Sequence, residues 1–198
     1  TPKLFTSVFA WLPTITVLSR QSICRGDSPD PSTSLYHEEN MFRTFWQNQG
    51  YGNHEIAFMK GNGLLPADVS EFSGKRIAGV IELEVDSILH GMVLGSEQLL
   101  ISSELFLKKR DIAGFIDGLC EEGFSVYITA DHGNVEATGS GGFPSQDKVV
   151  TASRGTRQID FRYGIDLDRF VGKLPPGSYR TSGTFLFLKD ETAFIPEN

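Results

Sequence analysis

The residues from Phe124 to Asn134 (FSVYITADHGN) constrain the fold of this chain more than any other stretch. The first five are rich in β-branched and aromatic types, and glycines flank them at 123 and 133, so a buried β-strand is predicted here. Asp131 and His132 follow at the carboxyl end of that strand. In open α/β sheets ligands bind at the carboxyl ends of the strands, and a carboxylate beside an imidazole can supply two ligands to one divalent cation. A turn cap and an ordinary loop histidine are the alternative, so the pair needs support from elsewhere in the chain.

A second carboxylate and imidazole follow a second predicted strand. Residues 76–85 (RIAGVIELEV) have the composition of a central parallel strand. Asp86 and His90 come next, four residues apart. If the strand gives way to a helical turn there, both side chains lie on one face, where they match metal-ligand chemistry. A solvated surface pair is the alternative.

A hydroxyl residue near the start of the chain is the third candidate. Thr14 or Thr16 stands where a helix would begin after Pro13, and Gly26 is a plausible helix stop. A hydroxyl at a helix amino terminus faces free backbone N–H groups and the positive end of the helix dipole. That position suits a nucleophile whose product is a phosphorylated or otherwise anionic adduct. On its own, Thr16 is better explained as a capping threonine.

The order of apolar β-rich runs and amphipathic stretches predicts the fold class. Residues 96–120 are expected to form the longest helix, and with the strands on either side they predict a right-handed parallel crossover. We therefore expect an α/β fold with a mostly parallel sheet and helices on both faces. Its expected strands include residues 4–11, 77–85 and 124–130, with shorter strands at 56–59, 149–152, 158–163, 184–188 and 193–195 and a helix at 37–49.

Length, charge and cysteine content bear on the domain count, the binding partners and the cellular location. A chain of 198 residues is long enough for one domain with a real core, so we expect a single domain over residues 1–198. The net charge of −7 argues against wrapping nucleic acid over a broad surface. The two cysteines form no framework, which favours a reduced, cytoplasmic protein. The apolar segment at residues 4–18 is interrupted by Pro13, so neither a membrane span nor a signal peptide is expected.

Three sequence pieces stand in a recognisable order: Pro-Thr-x-Thr at 13–16, Asp-x-x-x-His at 86–90 and Thr-Ala-Asp-His-Gly at 129–133. Together they resemble the alkaline-phosphatase superfamily of metal-dependent phosphate and sulfate ester hydrolases. Within it, the chain is most similar to the PglZ domain of bacterial phage-defence and signalling proteins. The segments LPTITVLSRQSICRG and ADHGNVEATG and a later Phe-Arg-Tyr-Gly at 161–164 carry that similarity, which covers roughly residues 8–165.

The resemblance implies a metal-dependent phosphoesterase or phosphodiesterase module with an alkaline-phosphatase-like core. Thr16 would be the nucleophile and would share one ion with Asp131 and His132, while Asp86 and His90 would hold a second. The implied cofactor is zinc, as one or two divalent cations, because imidazole and carboxylate ligands together suit zinc better than magnesium. The implied partners are a phosphate-ester substrate, with nucleic acid and cyclic nucleotides as candidates, and other defence-system or signalling proteins.

The sequence departs from that family in two places. The superfamily draws one metal-ligand aspartate from a strand upstream of the nucleophile, but the first aspartate here is Asp27. We therefore expect a core that lacks its first strand, in a fragment of a larger protein. No histidine follows His132, and Arg154 or Arg157 falls in that region instead. Arginine cannot ligate a metal but can bind substrate phosphate, so these residues alone are expected to bind one ion weakly or none and to catalyse poorly.

Two other functions remain open. A non-catalytic interaction module would keep the phosphatase-like fold around an incomplete metal site. A sulfatase or phosphoglycerate mutase relative is weaker, because the Cys-x-Pro-x-Arg setting of a sulfatase nucleophile is absent from the sequence.

Overall fold

The computed structural model describes residues 6–8, 10–11, 14, 16–30, 37–64, 68–90, 96–133, 137–140, 142–151, 157–189 and 191–194. The chain divides into two compact units. The first unit comprises residues 1–22, 28–33 and 131–198, and the second comprises residues 23–27 and 34–130. The expectation of one domain stays a prediction.

The described residues contain both helices and strands, which confirms a mixed α/β chain. The helices are α1 (Thr16–Arg25), α2 (Glu38–Asn48), α3 (Glu84–His90), α4 (Ser96–Lys109), α5 (Ile112–Glu121) and α6 (Gly164–Val171). The strands are β1 (Ile56–Gly61), β2 (Ile77–Glu82), β3 (Thr138–Gly139), β4 (Val149–Thr151), β5 (Gln158–Phe161), β6 (Tyr179–Ser182), β7 (Phe185–Leu188) and β8 (Thr192–Ala193). Short 3-10 turns lie at Asn53–Glu55, Val69–Phe72 and Gln146–Lys148.

The first unit is built on a four-stranded antiparallel sheet with the order β4-β5-β7-β6. Its core is fully enclosed: Ile159, its cross-strand partner Leu186, and Phe194 have no accessible surface. Leu167 of α6 packs into the same core. A short parallel pair, β3 with β8, completes the strands described in this unit.

The second unit contains a two-stranded parallel sheet, in which β1 pairs with β2 from Ile56↔Ile77 to Gly61↔Glu82. Beside it, Phe72, Phe115 and Leu119 form a buried cluster against which Met59, Val80, Phe124 and Val126 pack. The predicted strand at 56–59 is thus confirmed in full, and the one predicted at 77–85 is confirmed over residues 77–82. The second ends at Glu82, because α3 begins two residues later.

The prediction of a strand at residues 124–130 is wrong. None of these residues lies in a strand, so they share no sheet with residues 77–82 and the predicted crossover is not formed. Phe124 and Val126 contact the buried cluster, but Tyr127 and Ile128 are 89% and 78% exposed. Composition encodes a preference for extended backbone, whereas a strand also requires a neighbour to complete its hydrogen-bond ladder.

Three further expectations are corrected. Within the predicted strand at 4–11, residues 6–8 and 10–11 are not in a strand, and the rest lies outside the described residues. The largest sheet is antiparallel rather than parallel, because a tight turn at Gly183, whose φ is +58°, joins β6 to β7. The long helix predicted at 96–120 is two helices, since Asp111 adopts a φ of +45° and its carboxylate caps α5 by accepting from Gly114 N.

The predicted helix after Pro13 is confirmed, and it positions the candidate nucleophile. Helix α1 begins at Thr16 and ends at Arg25. Gly26 follows with a φ of +64°, the left-handed conformation that ends helices. In the described part of the chain, no helix combines the length and the apolar character needed to cross a membrane.

Candidate active site

The segment before α1 is anchored to the first unit's sheet. Gln158, a buried residue at the start of β5, donates from Nε2 to Thr14 Oγ1 at 2.8 Å. Two residues later Thr16 opens α1, with its side chain half-buried. The helix amino terminus is therefore fixed against β5, and its first residue carries a hydroxyl.

The loop at residues 131–133 places an imidazole against that hydroxyl. Thr16 Oγ1 lies 3.1 Å from His132 Nε2, and His132 Nδ1 lies 3.1 Å from the Gly133 carbonyl oxygen. A carbonyl oxygen only accepts, so Nδ1 carries the proton in the neutral imidazole, and Nε2 is left as an acceptor. The Thr16 hydroxyl thus donates to the Nε2 lone pair, and the Gly133 carbonyl fixes the tautomer.

A carboxylate and a guanidinium complete the cluster. Asp131 Oδ1 accepts from the His132 backbone N–H at 3.0 Å, while Oδ2 accepts from Arg20 Nε at 3.1 Å. The same Oδ2 lies 4.0 Å from His132 Nε2. Arg20 stands four residues after Thr16 on α1, so the two side chains share one face of the helix. Sequence reasoning missed Arg20, although its spacing from Thr16 was a usable indication.

The cluster offers donors for one cation. Thr16 Oγ1, His132 Nε2 and Asp131 Oδ2 follow one another at 3.1 Å and 4.0 Å. With its Nδ1 proton held by a carbonyl, His132 has the second-sphere partner that metal-binding histidines use. Within the described residues, no three His, Cys, Asp or Glu side chains form a metal-binding group. The third donor would therefore be the Thr16 hydroxyl, as the sequence predicts, and zinc stays a prediction.

The second predicted pair lies in the second unit, and its helical spacing is confirmed. Asp86 and His90 are one turn apart on α3, which begins just after β2. Asp86 is half-buried, and the His90 side chain lies outside the described part of the structure. Convergence of this pair with Thr16, Asp131 and His132 stays a prediction.

The carboxyl ends of β1 and β2 fix the start of α3. Glu82 Oε1 accepts from the backbone N–H groups of Gly63 and Glu84, at 2.9 Å and 2.8 Å. Glu84 in turn pairs with Arg110 at 2.8 Å. Asp86 therefore extends from a helix whose first residue, Glu84, is held by two polar contacts.

Of the two arginines predicted to bind substrate, the described residues include Arg157. Arg154 lies outside the described residues. Arg157 directly precedes β5, and its Nη2 donates to the Leu188 carbonyl oxygen at 3.4 Å. The next residue, Gln158, contacts Thr14 in the segment before α1. Arg157 is therefore one residue away from that contact in the sequence. Its role in substrate binding stays a prediction.

A cavity of about 340 Å³ lies in the second unit between the end of α1 and α2. Its lining includes Arg25, Asp27, Asn40 and Phe45, but none of the residues predicted to act in catalysis or metal binding.

Comparison with known proteins gives no match, neither to the models of protein families nor to curated protein sequences. A function for this chain accordingly rests on its own residues and their geometry.

Proposed function

We propose that this chain is a metal-dependent phosphoesterase or phosphodiesterase module of the PglZ type, with an alkaline-phosphatase-like core and Thr16 as its nucleophile. One observation carries the proposal: Thr16 Oγ1 lies 3.1 Å from His132 Nε2. The two residues are 116 positions apart in the chain, and both belong to the sequence motifs on which the resemblance rests.

The residues of the cluster suit attack on phosphorus. The Thr16 oxygen would form a bond to phosphorus while the bond from phosphorus to the leaving oxygen breaks. His132 Nε2 would take the hydroxyl proton, and the helix amino terminus would face the negative charge of the adduct. Water would then hydrolyse the phosphothreonine and restore the hydroxyl.

A divalent cation would be held by Thr16, Asp131 and His132, where it would supply positive charge that favours the deprotonated Thr16 oxygen. The lone pair of His132 Nε2 can either accept the Thr16 proton or bind the cation, but not both at once. In either role it favours the deprotonated Thr16 oxygen. Asp86 and His90 would hold a second ion. Two side chains are too few for tight zinc binding, which usually takes three protein ligands or more, so low activity is expected of these residues without a further carboxylate.

The substrate class follows from the same chemistry. It would be a phosphate ester, with nucleic acid and cyclic nucleotides as candidates, and Arg154 and Arg157 as candidate phosphate ligands. The PglZ resemblance makes defence-system or signalling proteins the candidate partners and the cytoplasm the expected location.

A non-catalytic interaction module is the second candidate, and one contact favours it. Asp131 Oδ2, an oxygen that a cation would need, already accepts a hydrogen bond from Arg20 Nε. A structural ion pair at this position would preserve the fold without requiring metal.

Turnover of a chromogenic phosphodiester by the full chain, with zinc added, tests the proposal. Thr16→Val should lower the rate by about 10²- to 10⁴-fold and His132→Gln by a similar factor, because each removes one partner of the proton transfer. Thr16→Ser should retain part of the rate. Thr181→Val makes the same chemical change at an exposed position on β6 and should leave the rate unchanged.

Two outcomes would count against the proposal. Full activity of Thr16→Val would show that another group attacks phosphorus. A zinc-loaded wild-type chain without turnover on phosphodiesters, phosphomonoesters and single-stranded oligonucleotides would favour the interaction module.

A further inference from the structure

Arg20 is the least exposed of four ion-paired arginines in the described part of the chain. Its side chain is 14% exposed, against 25% for Arg43, 36% for Arg110 and 65% for Arg76. A guanidinium that leaves water must exchange its hydration for hydrogen bonds, or folding loses free energy. The contacts of Arg20 therefore indicate what this position is built to bind.

Only part of the Arg20 guanidinium is used within the described residues. Its Nε donates to Asp131 Oδ2 at 3.1 Å, and no described residue accepts from the two terminal nitrogens. Those nitrogens carry four of the five N–H groups of the side chain. Their planar fork matches two oxygens of a phosphate or carboxylate.

The terminal nitrogens belong to a side chain on the same face of α1 as the candidate nucleophile. Arg20 follows Thr16 by four residues on α1, which places the two Cβ atoms about 5–6 Å apart. Asp131 holds the guanidinium by Nε, and the same carboxylate oxygen lies 4.0 Å from His132 Nε2. Arg20 thus contacts a carboxylate that lies beside the imidazole next to Thr16.

We propose that Arg20 binds the non-bridging oxygens of the substrate's phosphate group through its two terminal nitrogens, while Nε keeps its contact with Asp131. The inference rests on the proposed function for the identity of the substrate, but the anion site itself does not depend on turnover. Attack by Thr16 places negative charge on the non-bridging oxygens, and a preorganised guanidinium stabilises that charge without reorganisation.

The other role open to Arg20 is to position Asp131 alone. That role predicts that loss of Arg20 changes turnover without changing affinity for a phosphate anion. Binding and turnover therefore have to be measured separately.

Isothermal titration of the full chain with inorganic phosphate, at constant salt, tests the proposal. Arg20→Gln should weaken binding by about 10- to 100-fold, the range for losing hydrogen bonds to a charged group. Arg20→Lys keeps the charge without the fork, so it should weaken binding by a smaller factor and raise KM more than it lowers kcat. Arg43→Gln is the matched control, because Arg43 Nε also donates to a carboxylate from a helix, and it should leave phosphate affinity unchanged.

Unchanged phosphate affinity in Arg20→Gln and Arg20→Lys, with both variants folded by circular dichroism, would overturn the proposal, as would a wild-type chain that binds no phosphate. If Arg20→Gln does not fold, the folded Arg20→Lys variant decides alone. If the chain binds phosphate through Arg20 but hydrolyses no ester, the proposed function is contradicted and the anion site is supported.

Discussion

The sheets of the two units differ in how completely they bury their residues. In the first unit, the antiparallel strands β5 and β7 contribute Ile159 and Leu186, neither of which has accessible surface. In the second unit, all six residues of the parallel strand β2 are only half-buried. Parallel sheets are normally covered on both faces. The antiparallel sheet closes its own core through local connections, whereas the parallel pair is left partly open among the described residues.

The two units also differ in how well the segments around the candidate site residues are packed. The first unit holds Thr16, Asp131 and His132 in a connected set of short contacts. In the second unit, the segment leading to Asp131 carries Tyr127 and Ile128 largely exposed. The candidate chemistry therefore belongs to the unit whose sheet is completely packed.

Truncation of a core side chain should reveal the largest difference in stability between the two sheets. Leu186→Ala removes a fully enclosed side chain and should lower the free energy of unfolding by about 2–5 kcal/mol. Val80→Ala, at a half-buried position on β2, should cost about 1 kcal/mol, because part of its surface already contacts water. Urea unfolding of the full chain measures both values. Equal costs would show that β2 is as fully packed as β7.

Hydrogen exchange should sharpen the comparison at the backbone. Amides of residues 125–130 are in no strand, so they should exchange at least about 100-fold faster than the paired amides of β5 and β7. Exchange followed by mass spectrometry on the native chain reads both segments in one experiment. Comparable protection of the two would mean that residues 125–130 pair with a strand in solution.

A smaller, pH-dependent effect is expected at the start of β1. The Gly52 backbone N–H, and then Arg76, donate to the Glu55 carboxylate and lower its pKa. A lowered pKa means that this stabilisation is complete above the pKa of glutamate in the unfolded chain, about 4.3. It is lost as the pH falls through the lower folded-state pKa.

Glu55→Gln should therefore slightly lower the melting temperature at neutral pH and flatten its decline in acid. Glu71→Gln, at an exposed glutamate on a neighbouring 3-10 turn, serves as the control. A melting temperature of Glu55→Gln that falls with acid as steeply as that of the wild type would contradict the assigned cause.

Local features of the sequence predicted the parts of the fold that local chemistry decides. Helix α1 begins and ends where Thr16 and Gly26 indicate, and the change from strand to helix before Asp86 follows from composition and spacing. The failures are nonlocal. Residues 124–130 have the composition of a strand, but nothing in their own sequence supplies a pairing partner.

The candidate site was likewise predictable only where the local sequence decides it. The Asp131 and His132 pair was visible as a motif, and its contact with Thr16 was expected from the family resemblance. Arg20 was missed because its partner Asp131 lies 111 residues away, and one arginine on a short helix has many possible partners. Asp111 likewise interrupted a predicted helix, because a residue that fits a helix interior by periodicity can cap the next helix instead.

The central claim is that Thr16 is the nucleophile, and the residue that becomes phosphorylated tests it most directly. The full chain with zinc is mixed with a chromogenic phosphate ester, quenched in acid within one turnover, and digested for mass spectrometry. The account predicts a phosphoryl adduct on Thr16 that is greatly reduced in His132→Gln, which lacks the proton acceptor 3.1 Å from Thr16 Oγ1. An adduct on any other side chain, or turnover by Thr16→Val at the wild-type rate, would contradict it.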